Sequence, residues 1–346
     1  MKRLIGIVVV LAILGFGTAR GMDWWNDNVN TPISSTSKSV PFHIDPGENP
    51  TQIGTDLYTA GLIRSTIAFD MYTRINNLGP KFQAGSFVLN TNMNMQQIVA
   101  ALQHGKTDQK VITFPEGFPL REQAKVVETK KVGSATEYLT AAKDPALAAT
   151  YTFLTATPGN TEAPYEGYLF PDTYLIDPKG GVNSLVKAQL EQFGVIFSSD
   201  LRAQIAKDTP ARPAQTIRSI VILASMVDRE ANTSTDRGNV CSVYYNRLKL
   251  KMTLGVDATL LYALKRLTPE PTAAELGLNN PYNTRLYGGL PPGPIANPGK
   301  AAILACANPP QTLYLYYFTD RAGVTHFETN GADFERDKDK YGLSGS

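Results

Sequence analysis

Two acidic residues end a helix that is otherwise apolar, and they are the first place where this sequence could carry out chemistry. Asp228 and Glu230 follow residues 220–227, in which Ser225 is the one polar side chain. A run of this composition predicts a helix at the centre of a fold. An ionisable group at its end lies where water is scarce, and such a carboxyl can have an altered pKa.

Helical spacing places Glu230 beside three apolar side chains, those of Leu223, Met226 and Val227. These neighbours would exclude water, so we expect the pKa of the Glu230 carboxyl to be raised. A carboxylic acid still protonated near neutral pH can donate a proton to a leaving oxygen. Helix geometry alone leaves two simpler interpretations open, a solvated helix end or an ion pair with a nearby arginine, Arg229 or Arg237.

Asp228 is not expected to form a facing pair with Glu230. Two residues along a helix correspond to a rotation of roughly 160–200°, so the two carboxyls point in different directions. Retaining glycosidases, in contrast, hold their two carboxyls about 5 Å apart. A catalytic Glu230 would therefore work with a second carboxylate from elsewhere in the chain, or with none.

The segment EGYLFPDTYLI, residues 166–176, is a second candidate. Glu166 and Asp172 flank a group of aromatic residues that includes Tyr168. Aromatic faces with interleaved carboxylates suit carbohydrate, because sugar C–H faces stack on rings and hydroxyls need acceptors. An aromatic core strand that begins after a Pro171-Asp172 turn explains the same pattern equally well.

The third candidate is the loop NPYNTRLYGGLPPGPIANPG, residues 280–299. Proline fixes φ and glycine permits close approach of the backbone, so the Pro291 region predicts a stiff loop that presents main-chain groups to a ligand. Long loops without secondary structure are often functional. Asn246 and Asp257, on the segment before this loop, could line the same cleft.

The elements that would position these groups are helices and short strands in mixed order. Helices are predicted from Leu120 onward, then over 135–157, 184–197, 200–206, 214–232, 236–249 and 333–341. Another helix is predicted over 298–307, with Asn297 as its cap and proline at its first position. Strands are predicted over 111–114, 313–319 and 325–327. No βαβ repeat occurs, so the predicted fold class is α+β.

A smaller unit of order β-α-α-β-α precedes this region. Its strands are predicted over 40–44 and 84–90, and its third helix over 95–103. Asn49 and Ser65 are predicted to cap the first and second helices. The second helix carries four apolar residues on one face: Ile67, Met71, Tyr72 and Ile75. The unit is interpreted as a binding module or, alternatively, a structural spacer.

The first residues indicate export. Lys2 and Arg3 precede an apolar run over 4–19, which predicts either an uncleaved membrane anchor or a signal peptide that is cleaved after Ala19. In both cases the rest of the chain lies on the extracytoplasmic side. Residues 26–39 are polar and predict a flexible linker. Cys241 and Cys306 could be two buried thiols or one disulfide.

Charge and composition exclude several classes. The chain of 346 residues carries 33 basic and 31 acidic side chains, a balance that argues against a nucleic-acid-binding protein. Three histidines and two cysteines are well separated, so neither a metal site nor a cofactor is expected.

Several of these motifs occur together in one order: EGYLFPDTY, ASMVDREA, NRLKLKMTLGVDATLLYAL, NPYNT, GLPPGPIANPG, YLYYFTD and HFETN. Taken together, residues from about 40 to about 340 resemble the endolytic murein transglycosylase (YceG-like) family. Members are membrane-anchored lytic transglycosylases of the bacterial cell wall. The resemblance implies four parts: a membrane anchor or signal peptide (1–25), a linker (26–39), a LysM-like subdomain (40–108) and a catalytic domain (109–343).

The resemblance also implies site residues. The family's catalytic acid is the glutamate of a motif like ASIVEKEA, which corresponds to Glu230. This chain departs from the motif at Asp228, where the family usually has Glu, and at Gly255, where it commonly has Gln. The implied substrate-binding residues come from all three candidate segments: Glu166, Tyr168, Asp172, Asn246, Asp257, Tyr282, Asn283 and Pro291.

The implied activity is cleavage of the MurNAc–GlcNAc β-1,4 bond within nascent glycan strands to give 1,6-anhydro-MurNAc ends, which terminates strand elongation. The expected partners are glycan strands, the inner membrane, peptidoglycan synthases and division proteins. Two alternatives stay open, a non-catalytic glycan-binding scaffold and a hydrolytic glycosidase.

Overall fold

The computed structural model describes residues 20–104, 110–176, 180–231 and 233–343. Within them the architecture is mixed α+β, with helices and three two-stranded antiparallel sheets. The predicted membrane segment over 4–19 lies outside the described residues. Among the residues that are described, no helix has both the length and the apolar character needed to cross a membrane.

The chain divides into two compact units. The first comprises Met1–Thr113 with Thr173–Gly180, and the second comprises Phe114–Asp172 with Gly181–Ser346. The first unit contains seven named elements: β1 (Ser39–Ile44), α1 (Pro50–Thr59), α2 (Thr66–Ile75), β2 (Gly85–Asn90), α3 (Met95–Leu102), β3 (Lys110–Thr113) and β4 (Thr173–Ile176). β1 pairs with β2, and β3 pairs with β4. The predicted order β-α-α-β-α is confirmed.

Local capping explains where the first helices begin. The Asn49 side chain accepts a hydrogen bond from the Gln52 amide at 2.9 Å, and the Ser65 hydroxyl accepts one from Ala68 at 3.2 Å. Both predicted caps are therefore confirmed. Gly61 has a φ of +69°, a left-handed conformation that suits glycine just beyond a helix end.

The buried face of α2 differs from its most apolar stripe. Ala68, Phe69 and Thr73 are buried, whereas Ile67 and Ile75 are 65% and 69% exposed. A Cβ on Gly54 would come within 2.7 Å of the Phe69 ring, so Phe69 packs directly on the α1 backbone. That close contact decides which side of α2 faces the core.

The polar segment over 26–39 is more ordered at its start than its composition predicts. Asn26–Asn30 form one turn of π-helix, and Val29 is buried in the core of the first unit. The Arg64 guanidinium donates to the Thr31 carbonyl at 2.8 Å. These contacts make residues 26–31 part of the packed first unit.

The second unit contains the remaining named elements. They are α4 (Leu120–Thr129), α5 (Ala135–Ala141), α6 (Ala146–Thr150), α7 (Gly181–Ile196), α8 (Ser199–Ile205), α9 (Ile217–Glu230), α10 (Ser234–Lys249), α11 (Asp257–Ala263), α12 (Ala273–Leu276), α13 (Lys300–Ala307), β5 (Tyr316–Thr319), β6 (Thr325–Glu328) and α14 (Gly331–Lys340). The antiparallel pair β5–β6 is the predicted hairpin.

Helix α9 is the central element of this unit. Thr216 caps it through a reciprocal hydrogen-bond pair with Ser219, and every residue from Ile220 to Val227 is buried. Helices α10 and α13 pack against α9 and against each other. A disulfide joins Cys241 of α10 to Cys306 of α13 with a Cα–Cα distance of 5.4 Å, which resolves the question that the sequence left open.

Two predicted helices are wrong in extent. The helix predicted over 135–157 is instead two short helices, α5 and α6, and a loop, because Pro145 cannot continue the α5 hydrogen-bond ladder. The helix predicted to begin at Pro298 begins at Lys300, and Gly299 is its cap. Asn297 is used elsewhere, as described below.

Candidate active site

The C-terminal turn of α9 directs its two acids to different partners. Asp228 Oδ2 accepts a hydrogen bond from the Gly299 amide at 3.0 Å, and Asp228 Oδ1 lies 3.4 Å from the Arg237 guanidinium. Glu230 instead meets Tyr317, whose hydroxyl donates to Oε2 at 3.0 Å. The predicted divergence of the two carboxyls is confirmed. Asp228 therefore holds the loop at Gly299, whereas the Glu230 carboxyl is bonded to a neutral tyrosine.

Glu230 is partly exposed as a residue, but its carboxyl is surrounded by protein atoms. The residue keeps some accessible surface. Burial is the largest influence on its carboxyl and raises its pKa to about 7, while the Tyr317 hydrogen bond acts in the opposite direction. The predicted rise of this pKa is therefore confirmed. A carboxyl with this pKa exchanges its proton near neutral pH, as a group that acts first as acid and then as base requires.

A pair of tyrosines fixes the hydrogen bond to Glu230. The hydroxyls of Tyr244 and Tyr317 are 3.1 Å apart. Because Tyr317 donates its proton to Glu230, Tyr244 is the donor to Tyr317. Tyr244 is fully buried, so it holds Tyr317 in position from behind.

Asp257, at the start of α11, adds a charge near Glu230. Its carboxylate forms a two-point ion pair with Arg285, with distances of 2.6 and 2.9 Å. The negative charge of Asp257 contributes to the raised pKa of Glu230, and a hydrogen bond from the Ala258 backbone offsets part of it. Gly255, just before α11, has a φ of +63°, a left-handed conformation in which a glutamine would be strained.

Glu166 is a second carboxyl with a raised pKa. Burial, which leaves the residue 1% exposed, raises its pKa to about 7. Three groups donate to it: the Leu120 amide at 2.8 Å, the Asn297 side-chain amide at 3.0 Å and the Tyr262 hydroxyl at 3.2 Å. A cavity of about 630 Å³ reaches Glu166 and is also lined by Tyr262 and Tyr282. Glu166 therefore supports the wall of this cavity.

Asn297 joins three chain segments with one side chain. Its Oδ1 accepts hydrogen bonds from the amides of Gly167 and Leu169, both at 3.0 Å. Its Nδ2 donates to the Phe118 carbonyl at 3.1 Å and to Glu166. Local sequence patterns predict a helix cap at Asn297, whereas the structure uses it to fix the loops around Glu166.

Comparison with known proteins identifies the family of this chain. The profile of the YceG-like family matches residues 42–340, which is most of the chain. The chain belongs to the YceG-like family.

Named relatives of this YceG-like protein act on murein. It is 30% identical over 326 residues to an endolytic murein transglycosylase of Bacillus subtilis, across 90% of this chain and 87% of that protein. It is also 30% identical over 358 residues to an endolytic murein transglycosylase of Streptococcus pneumoniae R6, across 96% of this chain and 64% of that longer protein. The crystal structure of a YceG-like protein from Listeria monocytogenes superposes with a TM-score of 0.61 at 27% identity, across 86% of this chain and 98% of that one.

The other residues predicted to bind substrate occupy varied positions in this YceG-like protein. Tyr168 is fully buried against Phe193, with ring centroids 5.1 Å apart. Asn283 is also fully buried, and its amide donates to the Leu276 and Leu278 carbonyls. These side chains support the fold, and substrate binding by them stays a prediction.

Three further predicted residues hold neighbouring segments in place or are buried. The Asn246 amide donates to two carbonyls of the segment before β5, at 3.0 and 2.9 Å. Asp172 accepts a hydrogen bond from Gln192 at 3.2 Å, and Pro291 is buried. Substrate binding by these three also stays a prediction. Within the described part of the chain, no cluster of three or more His, Cys, Asp or Glu residues could hold a metal ion.

Proposed function

We propose that this protein is an endolytic murein transglycosylase, a lyase that cuts peptidoglycan glycan strands. The observation that carries the proposal is the Glu230 carboxyl, which lies at the end of a buried helix with a pKa of about 7 and a fixed tyrosine partner. The names of the relatives in its family support the same activity.

The proposed reaction breaks the β-1,4 bond between MurNAc and GlcNAc without water. Protonated Glu230 gives its proton to the glycosidic oxygen as the bond from that oxygen to MurNAc C1 breaks. The resulting carboxylate then takes the proton from the MurNAc 6-hydroxyl, and O6 bonds to C1. One product ends in 1,6-anhydro-MurNAc and the other in a GlcNAc 4-hydroxyl, so Glu230 is returned in its acid form.

The charge arrangement favours a lyase that uses one acid over a hydrolase that uses two. Asp228 is held by Gly299 and Arg237, and Asp257 is paired with Arg285. Both carboxylates are therefore already engaged with an arginine, and neither is left free to act as a second catalytic group. Tyr317 donates to the carboxylate form of Glu230, so it would stabilise the charge that develops after proton transfer.

The location and partners of the protein belong to the same proposal. We place it on the extracytoplasmic side of the inner membrane, held by residues 4–19, where it would end the elongation of nascent strands beside synthases and division proteins. The Cys241–Cys306 disulfide supports this location, because disulfides persist mainly in oxidising compartments. The β-α-α-β unit would contact glycan as a LysM-like subdomain.

The test is digestion of purified, peptide-free glycan strands by the full chain and by its Glu230→Gln variant, read by mass spectrometry. Internal fragments that end in 1,6-anhydro-MurNAc are expected from the wild type and from Glu191→Gln, an exposed control on α7. They should be absent with Glu230→Gln. Fragments with reducing ends, which are heavier by one water, would indicate a hydrolase. If neither the wild type nor Glu191→Gln released fragments, the result would favour a glycan-binding scaffold.

A further inference from the structure

The cavity beside Glu166 is lined by side chains that the proposed reaction does not use. Its volume is about 630 Å³, within the range of small-ligand sites. Its lining comes from α4, α5 and α11, from the loop over 158–163 and from the loop over 280–292. Because these segments converge from distant parts of the second unit, the cavity is a feature of the tertiary fold.

Two tyrosines form an aromatic wall in this cavity. The rings of Tyr262 and Tyr282 have centroids 5.1 Å apart and are inclined by 49°. The Arg121 guanidinium covers the Tyr262 ring at 5.3 Å. Asn160 Nδ2 donates to the Tyr262 hydroxyl at 3.0 Å, and that hydroxyl donates to Glu166. The orientation of Tyr262 is therefore fixed before any ligand binds.

The Tyr282 hydroxyl is a polar group without a fixed partner. It is buried and lies near the Asn160 side chain, but no hydrogen bond of normal geometry joins it to any of the described residues. Burial, and next the charge of Glu166, raise the pKa of Tyr282 to about 12, so the phenol stays neutral and keeps its proton. A buried donor of this kind gains a hydrogen bond when a ligand supplies an acceptor.

Three cationic side chains line the cavity, those of Arg121, Lys143 and Lys265, and two of them have acidic partners. Lys265 pairs with Glu162 at 2.8 Å. Arg121 lies 3.6 Å from Glu122 and donates to the Arg266 carbonyl at 3.3 Å. An aromatic wall with polar groups beside it suits a sugar, whose C–H face packs on a ring and whose hydroxyl and amide groups need hydrogen-bond partners.

The cavity and Glu230 lie along the same two segments. At one end, Ala258 contacts the Glu230 carboxyl through its backbone. Tyr262 follows one helical turn later, about 6 Å along the axis of α11. The loop over 280–285 runs beside α11, because Arg285 pairs with Asp257 at the Glu230 end while Tyr282 meets Tyr262 at the cavity end.

We propose that this cavity is a saccharide subsite that binds an N-acetylated sugar of the glycan strand whose next linkage lies at Glu230. The inference rests on the proposed function for the identity of the strand. The sugar ring would pack against Tyr262 and Tyr282, and its hydroxyl or acetamido oxygen would accept the free proton of Tyr282. Asn160 is a positioning residue, since it acts through Tyr262.

The experiment measures binding to the full-length Glu230→Gln protein, so that substrate is not consumed. The probes are peptide-free glycan strands and, separately, the free stem peptide. Adding Tyr282→Phe removes a single hydroxyl and should weaken glycan binding by about 2- to 10-fold. Tyr287→Phe is the matched control, because Tyr287 lies in the same loop, is 44% exposed and is not among the residues that line the cavity. Its affinity should equal that of the parent.

The second measurement uses the single variant Tyr282→Phe, in which Glu230 is intact. This variant should raise KM for glycan strands by more than it lowers kcat. General damage to the fold would also lower the melting temperature. Unchanged glycan affinity in Tyr282→Phe would overturn the subsite. So would a loss of stem-peptide binding alone, which would assign the cavity to peptide. A wild type that releases no anhydro ends would refute the proposed function, while the glycan-binding measurement would still decide the subsite.

Discussion

Replacing Glu230 by glutamine should stabilise the fold above neutral pH while it removes activity. Burial raises the pKa of Glu230 from an ordinary 4.5 to about 7. Between these values the unfolded chain is ionised while the folded chain keeps its proton, so the free energy of unfolding falls as pH rises through this window. The difference between the two pKa values corresponds to roughly 3 kcal/mol of lost stability above the window.

Glutamine is uncharged throughout, and its amide oxygen can still accept the hydrogen bond from Tyr317. The variant and the wild type should therefore have similar free energies of unfolding near pH 4. At about pH 8 the variant should be more stable by roughly 3 kcal/mol. Urea unfolding at both pH values measures this, and the exposed control Glu191→Gln should show no such dependence. If the free energies of unfolding of Glu230→Gln and wild type differed by the same amount at both pH values, the reasoning from burial would be refuted.

Three other changes test the surroundings of this acid. Asp257→Asn removes a charge that raises the pKa of Glu230. The alkaline limb of the pH–rate profile, where Glu230 loses its proton, should therefore move to lower pH. A limb that stays in place would show that Asp257 does not act through charge. Tyr317→Phe removes the donor that lowers the same pKa. That limb should move to higher pH and kcat should fall about tenfold, and unchanged kinetics would count against charge stabilisation by the hydroxyl. Changing Cys241 and Cys306 to serine together should lower the free energy of unfolding by roughly 2–4 kcal/mol, because the disulfide closes a loop with a sequence separation of 65. Denaturant titrations measure this, and an unchanged midpoint would show that packing alone joins α10 to α13.

Local sequence patterns were sufficient where local physics decides the outcome. The caps at Asn49 and Ser65 depend on side chains that bond to amides three residues away, and both form. The same holds for Glu230, because its apolar neighbours on α9 are set by helical periodicity. Its raised pKa and its divergence from Asp228 could therefore be predicted before any tertiary contact was known.

Long-range contacts decided what local patterns could not. Tyr317 reaches Glu230 from 87 residues away, and no spacing rule connects the two positions. Asn297 stands before a proline and a helix, a good capping context, yet its amide is used by distant loops. Ile67 lies on the more apolar stripe of α2 but is exposed, because Phe69 fits the close approach at Gly54.

Asn297 also constrains when this protein can finish folding. Its side chain accepts a hydrogen bond from the Gly167 amide and donates one to Glu166, and these residues precede it by 130 and 131 positions. At synthesis rates of about 5–20 residues per second, Asn297 is made on the order of ten seconds after these groups. Until then the Gly167 and Leu169 amides and the Glu166 carboxyl lack a partner that they have in the folded protein. The part of the chain that builds the Glu166 cavity is therefore made early but completed late.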